Sequence, residues 1–392
     1  MKGKFEIRMT NQIRNSNDET VSRFEFQASN LIRVSSFEFP VLAMHLGPTT
    51  LRTPFCQAGL AGYSDRAMRI VARRRGCPYA VTEALLDVIL CNGGQGLRNS
   101  IDINDEDHPV AGQIIGSEPE TMARAAGILA QAGYDVIDLN FACPVKKIKN
   151  KARGGHMLFD VVRAVNVMRA VRDRLGDFPL TLSLRRGFDD SAEAEERFFE
   201  IIERGWSLGV AAARVHARTV QQKYVGSAHW PFLAALKRRY PQKTILGSGD
   251  VFTAADAVRM YRETAVDMVW IARGAIGNPW IFQHAERLLA NPNAEILPPK
   301  IPQQRQALEE HFQIAVQIHG ESLAARRMRK MGIKYSRFHP LATEVKRQFI
   351  QVHSLRDWQA VLDKWYVGGG PGVWPAENAA DEVNEPVGDA CG

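Results

Sequence analysis

The chain predicts an α/β fold whose body is a (β/α)8 (TIM) barrel, on three observations; a small C-terminal helical domain is expected to follow it. Eight short β-rich runs alternate with amphipathic helical stretches. The alternation occupies roughly the length such a barrel needs. Polar residues gather at the ends of the runs, where an α/β barrel keeps its chemistry. A doubly wound sheet is the alternative, but no Gly-x-Gly-x-x-Gly opens a helix after the first run.

The strands are predicted at residues 53–57, 79–82, 110–114, 136–140, 180–184, 212–216, 244–247 and 268–272, with helices such as 118–132, 161–175, 193–208 and 253–263 between them. The first run leads into Ala58-Gly59-Leu60-Ala61, the second ends at Glu83, and Gln113 closes Pro109-Val110-Ala111-Gly112. The fourth, Val136-Ile137-Asp138-Leu139-Asn140, passes at once into Phe141-Ala142-Cys143-Pro144. Its cysteine precedes Lys146, Lys147, Lys149, Lys151 and Arg153 and then Gly154-Gly155. A thiol beside a basic, glycine-containing loop can act as nucleophile or proton donor next to an anionic ligand. An arbitrary cysteine more often just packs; the flanking Asn140, Pro144 and basic loop favour chemistry here.

The sixth run ends in His216-Ala217-Arg218-Thr219. The seventh and eighth lead into Ser248-Gly249-Asp250 and Ala272-Arg273-Gly274-Ala275-Ile276-Gly277. Phosphate sites in such barrels often lie in these last two loops, because glycine lets backbone N–H groups approach and arginine adds forked donors. Ordinary turns are the alternative for either loop. Several polar groups converging on one barrel mouth favour a site for a phosphorylated cofactor.

A chain of 392 residues that is 45% hydrophobic and 24% charged has room for one large domain and a small one. No apolar stretch approaches a membrane span, and Met1-Lys2-Gly3-Lys4 is not followed by the apolar core of a signal peptide, so a cytoplasmic protein is expected. Cys56, Cys77, Cys91, Cys143 and Cys391 form no CxxC pair or zinc spacing, which fits reduced thiols and no metal site. The formal charge is +7; an acidic tail holds −5 and residues 1–49 hold +1, which leaves +11 on residues 50–367. That balance suggests a polyanionic partner. Residues 1–46 lack periodicity, with Met44 a candidate start, and 368–392, opening with Gly368-Gly369-Gly370-Pro371-Gly372, look too polar and glycine-rich to bury a core. The expected layout is a barrel over 47–300 and a helical domain over 301–367 between two disordered ends. A helix over 320–339 carries Arg326, Lys330, Lys334 and Arg337 along one face; a solvated charged face is the bland reading, and phosphate contact the favoured one.

From about Leu46 to Tyr366 the chain resembles the tRNA-dihydrouridine synthases. The landmarks are residues 58–65, Thr82-Glu83, Asp138 to Pro144 with Lys146-Lys147, and His216-Ala217-Arg218-Thr219. Tyr224-x-Gly226-x-Ala228-x-Trp230, Gly249-Asp250 and Arg273 to Phe282 complete the series. The resemblance implies an FMN-binding barrel, a C-terminal domain that helps hold tRNA, and NADPH as reductant. It implies hydride transfer from reduced flavin to C6 of a uracil flipped out of its stack, with Cys143 as the acid at C5. A thiol of ordinary pKa, near about 8.5, is protonated at neutral pH and suits that role. By the same match Ala58, Gly59, Leu60, Ala61, Gln113, Ser183, Arg185, His216, Ser248, Gly249, Asp250, Ala272 and Arg273 are expected at the cofactor. Glu83, Asn140, Lys146, Lys147, Arg218, Arg326, Lys330, Lys334 and Arg337 are expected at the RNA, and a monomer is expected.

The chain departs from the family pattern in places. Gly59 and Leu60 replace Pro and Met, Ala142 replaces Gly, Ser248 replaces Asn and Met331 replaces His. Ser183 stands where a lysine is expected, and Arg185, on the same face of the strand, is a candidate for the missing charge. These departures keep open a flavin-poor relative that only binds tRNA, and an FMN barrel that reduces a small non-RNA substrate.

Overall fold

The computed structural model describes residues 44–46, 49–94, 101–144 and 152–375. Two short strands, β1 (Met44–Leu46) and β2 (Thr49–Leu51), form an antiparallel hairpin with Met44 opposite Leu51. After it come β3 (Phe55–Gln57), α1 (Arg66–Arg73), β4 (Ala80–Val81), β5 (Leu85–Leu86) and α2 (Asp87–Asn92). The chain continues through β6 (Val110–Ile115), α3 (Pro119–Gln131), β7 (Val136–Phe141), α4 (Val161–Leu175), β8 (Leu180–Arg185) and α5 (Ala192–Ser207). The rest of the barrel is β9 (Ala212–His216), α6 (Trp230–Arg239), β10 (Thr244–Ser248), α7 (Ala254–Thr264), β11 (Met268–Ile271) and α8 (Ile281–Ala290).

Strands β3, β4, β6, β7, β8, β9, β10 and β11 pair in parallel in that order, and β11 pairs back onto β3 to close the barrel. Each matches a predicted run within a few residues. The second is shorter than expected because, beyond Val81, the Thr82 hydroxyl takes over: it accepts from the Gln113 N–H and donates to the Glu83 carbonyl. β5 then adds beside β6.

Side chains alternate across the wall, as a period of two demands. Inward-facing Cys56, Ala58, Tyr79, Val81, Ala111, Val136, Ala212, Leu246, Met268 and Trp270 form their own core. Outward-facing Phe55, Ile137, Leu139, Leu182, Val215 and Val269 pack with the helices in a second core. Leu46 and Leu51 join the inner core beside Val136, Ala212 and Met268, the first residues of their strands. The hairpin therefore plugs the N-terminal end of the barrel, and the packed chain starts before the expected boundary at residue 47.

Four helices follow: α9 (Ile301–His319), α10 (Glu321–Tyr335), α11 (Ala342–Ile350) and α12 (Leu355–Trp365). The helix expected over 320–339 ends at Tyr335 and tightens into a 3-10 turn over Ser336–Phe338. Helix α9 lies against α1, where Arg75 donates to Glu310 at 2.9 Å and His319 meets Asp65, the N-cap of α1, at 3.0 Å. Gly332 lets α11 approach α10 closely: a Cβ there would sit 2.3 Å from the Phe349 ring. The glycine-rich start of the tail is packed, contrary to expectation. The Gly370 carbonyl accepts from the Ile301 N–H, the Val373 N–H donates to the Phe338 carbonyl, and Trp374 sits edge-on to Phe338 and His284. The glycine serves close approach, because a Cβ on Gly372 would lie 2.1 Å from the Pro299 carbonyl. Tail residues 376–392 lie outside the described residues.

Candidate active site

The strand register collects the polar residues at the C-terminal end of the barrel. Asn140, Ser183 and Arg214 stand opposite one another on β7, β8 and β9, and Gln113 stands opposite Asp138. Alternation turns all five inward. Asp138 is fully buried and accepts from Gln113 Nε2 at 2.7 Å, Thr181 Oγ1 at 2.7 Å and Ser183 Oγ at 2.5 Å. Three donors satisfy a carboxylate that burial alone would penalise. Gln113 Oε1 accepts from Asn140 Nδ2 at 2.8 Å, so the network extends to the end of β7.

Asn140 then shapes the cysteine loop. Its Oδ1 accepts from the backbone N–H groups of Ala142 and Cys143, each at 3.0 Å. The Cys143 carbonyl accepts from the Gly155 N–H at 2.8 Å, and Cys143 is half-buried at the barrel mouth. Gly155 has no room for a side chain, since a Cβ would come within 2.7 Å of Val220. Lys146 and Lys147, expected to face the RNA from this loop, lie outside the described residues.

Four guanidiniums surround His216. Arg185 donates to the carbonyls of Ala142 (2.8 Å), Thr219 (2.9 Å) and Lys223 (2.6 Å), and burial pulls it down to about 10, still charged at neutral pH. It therefore braces the loops and is not the guanidinium bonded to Ser183. Arg214 is: its Nε–H donates to Ser183 Oγ at 3.0 Å, and its guanidinium lies over the Trp270 ring at 4.4 Å. Arg218 and Arg273 share Asp250 at 2.6 and 3.2 Å. Burial first, then Arg185, Arg218, Arg214 and Arg273, hold His216 well below its ordinary range, so the ring is neutral. His216 Nδ1 accepts from the Arg218 N–H at 3.2 Å, which leaves Nε2 as the donor toward the mouth. Sequence reading missed Arg214, although its spacing of two from His216 places it on the same face.

Loops after β10 and β11 complete the rim. Gly249 and Asp250 adopt φ values of +126° and +53°. Gly249 is pressed against the neighbouring loop, where a Cβ would come 2.7 Å from that of Ala228. Trp230 Nε1 donates to the Gly249 carbonyl, the Ala228 N–H donates to Asp250, and Arg218 donates to the Gly226 carbonyl. These contacts give the Tyr224-x-Gly226-x-Ala228-x-Trp230 motif a structural meaning. Gly274 backs onto the Val251 carbonyl at 2.5 Å from a Cβ position; Ser248 ends β10, and Ala272 is the first residue after β11. Tyr224 is exposed between Arg185 and Arg273, each 5.3 Å from its ring. Arg218 Nη1 is buried without a partner among the described residues. Glycines at the rim, an unsatisfied guanidinium nitrogen and four cations of which only two share a carboxylate fit a phosphorylated, anionic cofactor. Among the described residues no group of three His, Cys, Asp or Glu is placed to hold a metal ion.

The first-strand loop faces this rim. Ala58 is buried and donates to the Ile271 carbonyl; Gly59 lies against Thr82, whose carbonyl would be 2.1 Å from a Cβ. Leu60 and Ala61 are half-buried beyond it. Glu83 accepts from the Gly62 N–H at 2.6 Å, and Lys330 of α10 donates to the Gly62 carbonyl and lies over the Tyr63 ring at 4.4 Å. Burial raises Glu83 and lowers Lys330, bringing the two closer to neutrality. The expected row of four helix cations is divided. Arg326 is exposed, Lys334 is half-buried, Lys330 reaches the barrel, and Arg337 donates to the Ile276 carbonyl at 2.7 Å. The helix ending at Tyr335 explains the split, because Arg337 leaves the helical face.

Residues 56–366 match the family described as dihydrouridine synthase (Dus). The chain is 31% identical over 303 residues to tRNA-dihydrouridine synthase B of Xanthomonas campestris pv. campestris, covering 77% of this chain and 90% of that protein. Against tRNA-dihydrouridine synthase B of Pseudomonas aeruginosa it is 32% identical over 308 residues, covering 78% and 90%. Among solved structures, a 2-naphthoyl-CoA reductase in complex with 2-naphthoyl-CoA shares the fold at a TM-score of 0.51 and 11% identity, over 88% of this chain and 72% of that one. With a match that runs from the first barrel strand to the last helix, the chain belongs to the dihydrouridine synthase family.

Proposed function

We propose that this protein reduces uridines in tRNA to 5,6-dihydrouridine, using FMN bound at the barrel mouth and NADPH as reductant. The observation that carries the reading is Cys143, held by Asn140 at the end of β7, beside a ring of four guanidiniums around a neutral His216. Its family membership supplies the reaction class. Ser248, Gly249, Asp250, Ala272 and Arg273 would hold the phosphate, with His216 Nε2 a further donor. Ala58, Gly59, Leu60, Ala61, Gln113 and Ser183 would line the flavin ring. Bound and reduced, FMN supplies the hydride for C6 of the uracil.

The chain's own groups do the rest. Cys143 Sγ–H gives its proton to C5, so that hydride and proton together saturate the C5=C6 bond. Asn140 holds the two N–H groups of the cysteine loop, and Arg185 ties that loop to the one after β9 through Ala142, Thr219 and Lys223. Both act by positioning. The α10 face with exposed Arg326 and Arg327, Lys334 beside it, and the basic segment at Lys146 and Lys147 would meet RNA phosphates. Lys330, Glu83 and Arg218 would set the shape of that surface through their protein partners. No helix among the described residues is long and apolar enough to cross a membrane.

Purified protein is expected to carry a yellow flavin that bleaches with NADPH under anaerobic conditions. It is also expected to bind tRNA with an affinity that falls as salt rises. Protein that binds tRNA but no supplied FMN would favour a flavin-poor binding relative. Flavin turnover without salt-sensitive tRNA binding would favour a small-molecule reductase.

A further inference from the structure

Of the four guanidiniums at the barrel mouth, Arg214 is the one without a carbonyl or carboxylate partner among the described residues. Arg185 is spent on three carbonyls, and Arg218 and Arg273 share Asp250. Among the described residues Arg214 has a single hydrogen bond, from Nε to the Ser183 hydroxyl at 3.0 Å. A guanidinium carries five N–H donors, so four remain to be satisfied. The residue is only 9% exposed, so little of it reaches water. The Trp270 face beneath it, at 4.4 Å, offers its π cloud and takes up none of the in-plane donors.

Its orientation is set from below. Asp138 accepts from Ser183 at 2.5 Å, and the Ser183 oxygen accepts in turn from Arg214. Ser183 and Arg214 are register partners on adjacent strands. The short serine leaves the space above its own Cβ to the arginine, so the strand position that lacks a cation has one supplied by its neighbour. This arrangement holds a positive charge, tied to Asp138 only through the serine hydroxyl, at the level where the flavin ring is proposed to lie.

We infer that Arg214 is the cation facing the flavin ring in this protein and that it stabilises the negative charge the ring gains on reduction. The inference rests on FMN binding as proposed above. The charge balance is simple. A hydride from the nicotinamide brings two electrons and one proton to neutral flavin, leaving one added negative charge, which a nearby guanidinium favours.

The test compares wild type, Arg214→Lys, Arg214→Met and the double variant Ser183→Lys/Arg214→Met, each purified with FMN. The readouts are sulfite affinity, followed by bleaching of the visible band, and the two-electron midpoint potential. Sulfite bonds through sulfur to the flavin and leaves negative charge on the ring, so it reports the same stabilisation without tRNA or turnover. Arg214→Met is expected to weaken sulfite at least about tenfold and to lower the potential. Arg214→Lys should lie between the two, and the double variant, which moves the cation to β8, should recover most of the loss. Unchanged sulfite affinity and potential in flavin-bound Arg214→Met would overturn the inference while leaving the reductase reading standing. If Arg214→Met loses FMN, recovery of binding in the double variant supports the inference, and failure in both lysine-bearing variants assigns Arg214 to packing and overturns it. A wild-type protein that holds no FMN overturns the reductase reading, and this inference with it.

Discussion

Arg185 shows how much one side chain can hold together. Its guanidinium joins three carbonyls from the cysteine loop and the loop after β9, in a setting almost without water. Arg185→Met leaves those carbonyls without their donor. We expect a stability loss of about 2–4 kcal/mol by urea unfolding and a larger fall in kcat than in flavin affinity. Arg185→Lys should rescue little, because one ammonium cannot reproduce the planar fork. Gly59 is a second single-residue test. A Cβ there would come 2.1 Å from the Thr82 carbonyl, a backbone atom that cannot swing aside. Gly59→Ala is expected to cost about 1–3 kcal/mol and to loosen FMN, read by urea midpoint and by flavin retention on a desalting column. Which residues gather at the barrel mouth was only partly legible in the sequence. Cys143, Asn140 and His216 announced themselves by motif. Arg214 did not, because nothing local marks a cation whose meaning comes from the serine on the next strand.

At the scale of elements, helix α9 joins the C-terminal group to the barrel, and its buried face carries a pH dependence. His311 is fully enclosed, with its Nδ1 3.4 Å from the Tyr335 hydroxyl. Burial is the main cause that holds it down at about 4 against an ordinary 6.5, with Asp65 opposing and Arg75 assisting. The folded form thus keeps the ring neutral while the unfolded chain protonates it below 6.5. Stability from this group is complete above pH 6.5 and is lost as pH falls from 6.5 to 4, by at most about 3 kcal/mol. His284, also held at about 4 mainly by burial, adds in the same direction. His311→Gln should flatten the stability–pH curve in that window; an unchanged slope would contradict the assignment. The eight barrel strands and helices α3, α4, α5 and α7 were legible from alternation and periodicity, whereas β1, β2 and β5 were not. The end of α10 was not, since Arg337 continues the charge spacing of the helix after the backbone has tightened into a 3-10 turn.

For the whole molecule, the barrel could be read from the alternation of strands and helices and one later helix from its charge spacing, but the limits of the packed chain could not. Leu46 and Leu51 plug the barrel from a segment that straddles the expected boundary, and Gly372 packs where glycine content suggested looseness. In both cases composition carries the same signal for disorder and for close approach, and only the tertiary partner separates them. The proposed function depends at this scale on placing a thiol, a cofactor and an RNA at one mouth.

The most direct measurement is dihydrouridine content, by nucleoside mass analysis, in tRNA lacking the modification after incubation with enzyme, FMN and NADPH. Wild type should add two hydrogens at a defined uridine, and Cys143→Ala should bind the same tRNA while slowing the reaction by about 10²-fold or more. Full activity in Cys143→Ala would contradict the role of the cysteine. No dihydrouridine from flavin-loaded, reducible wild type on any tRNA would contradict the account as a whole.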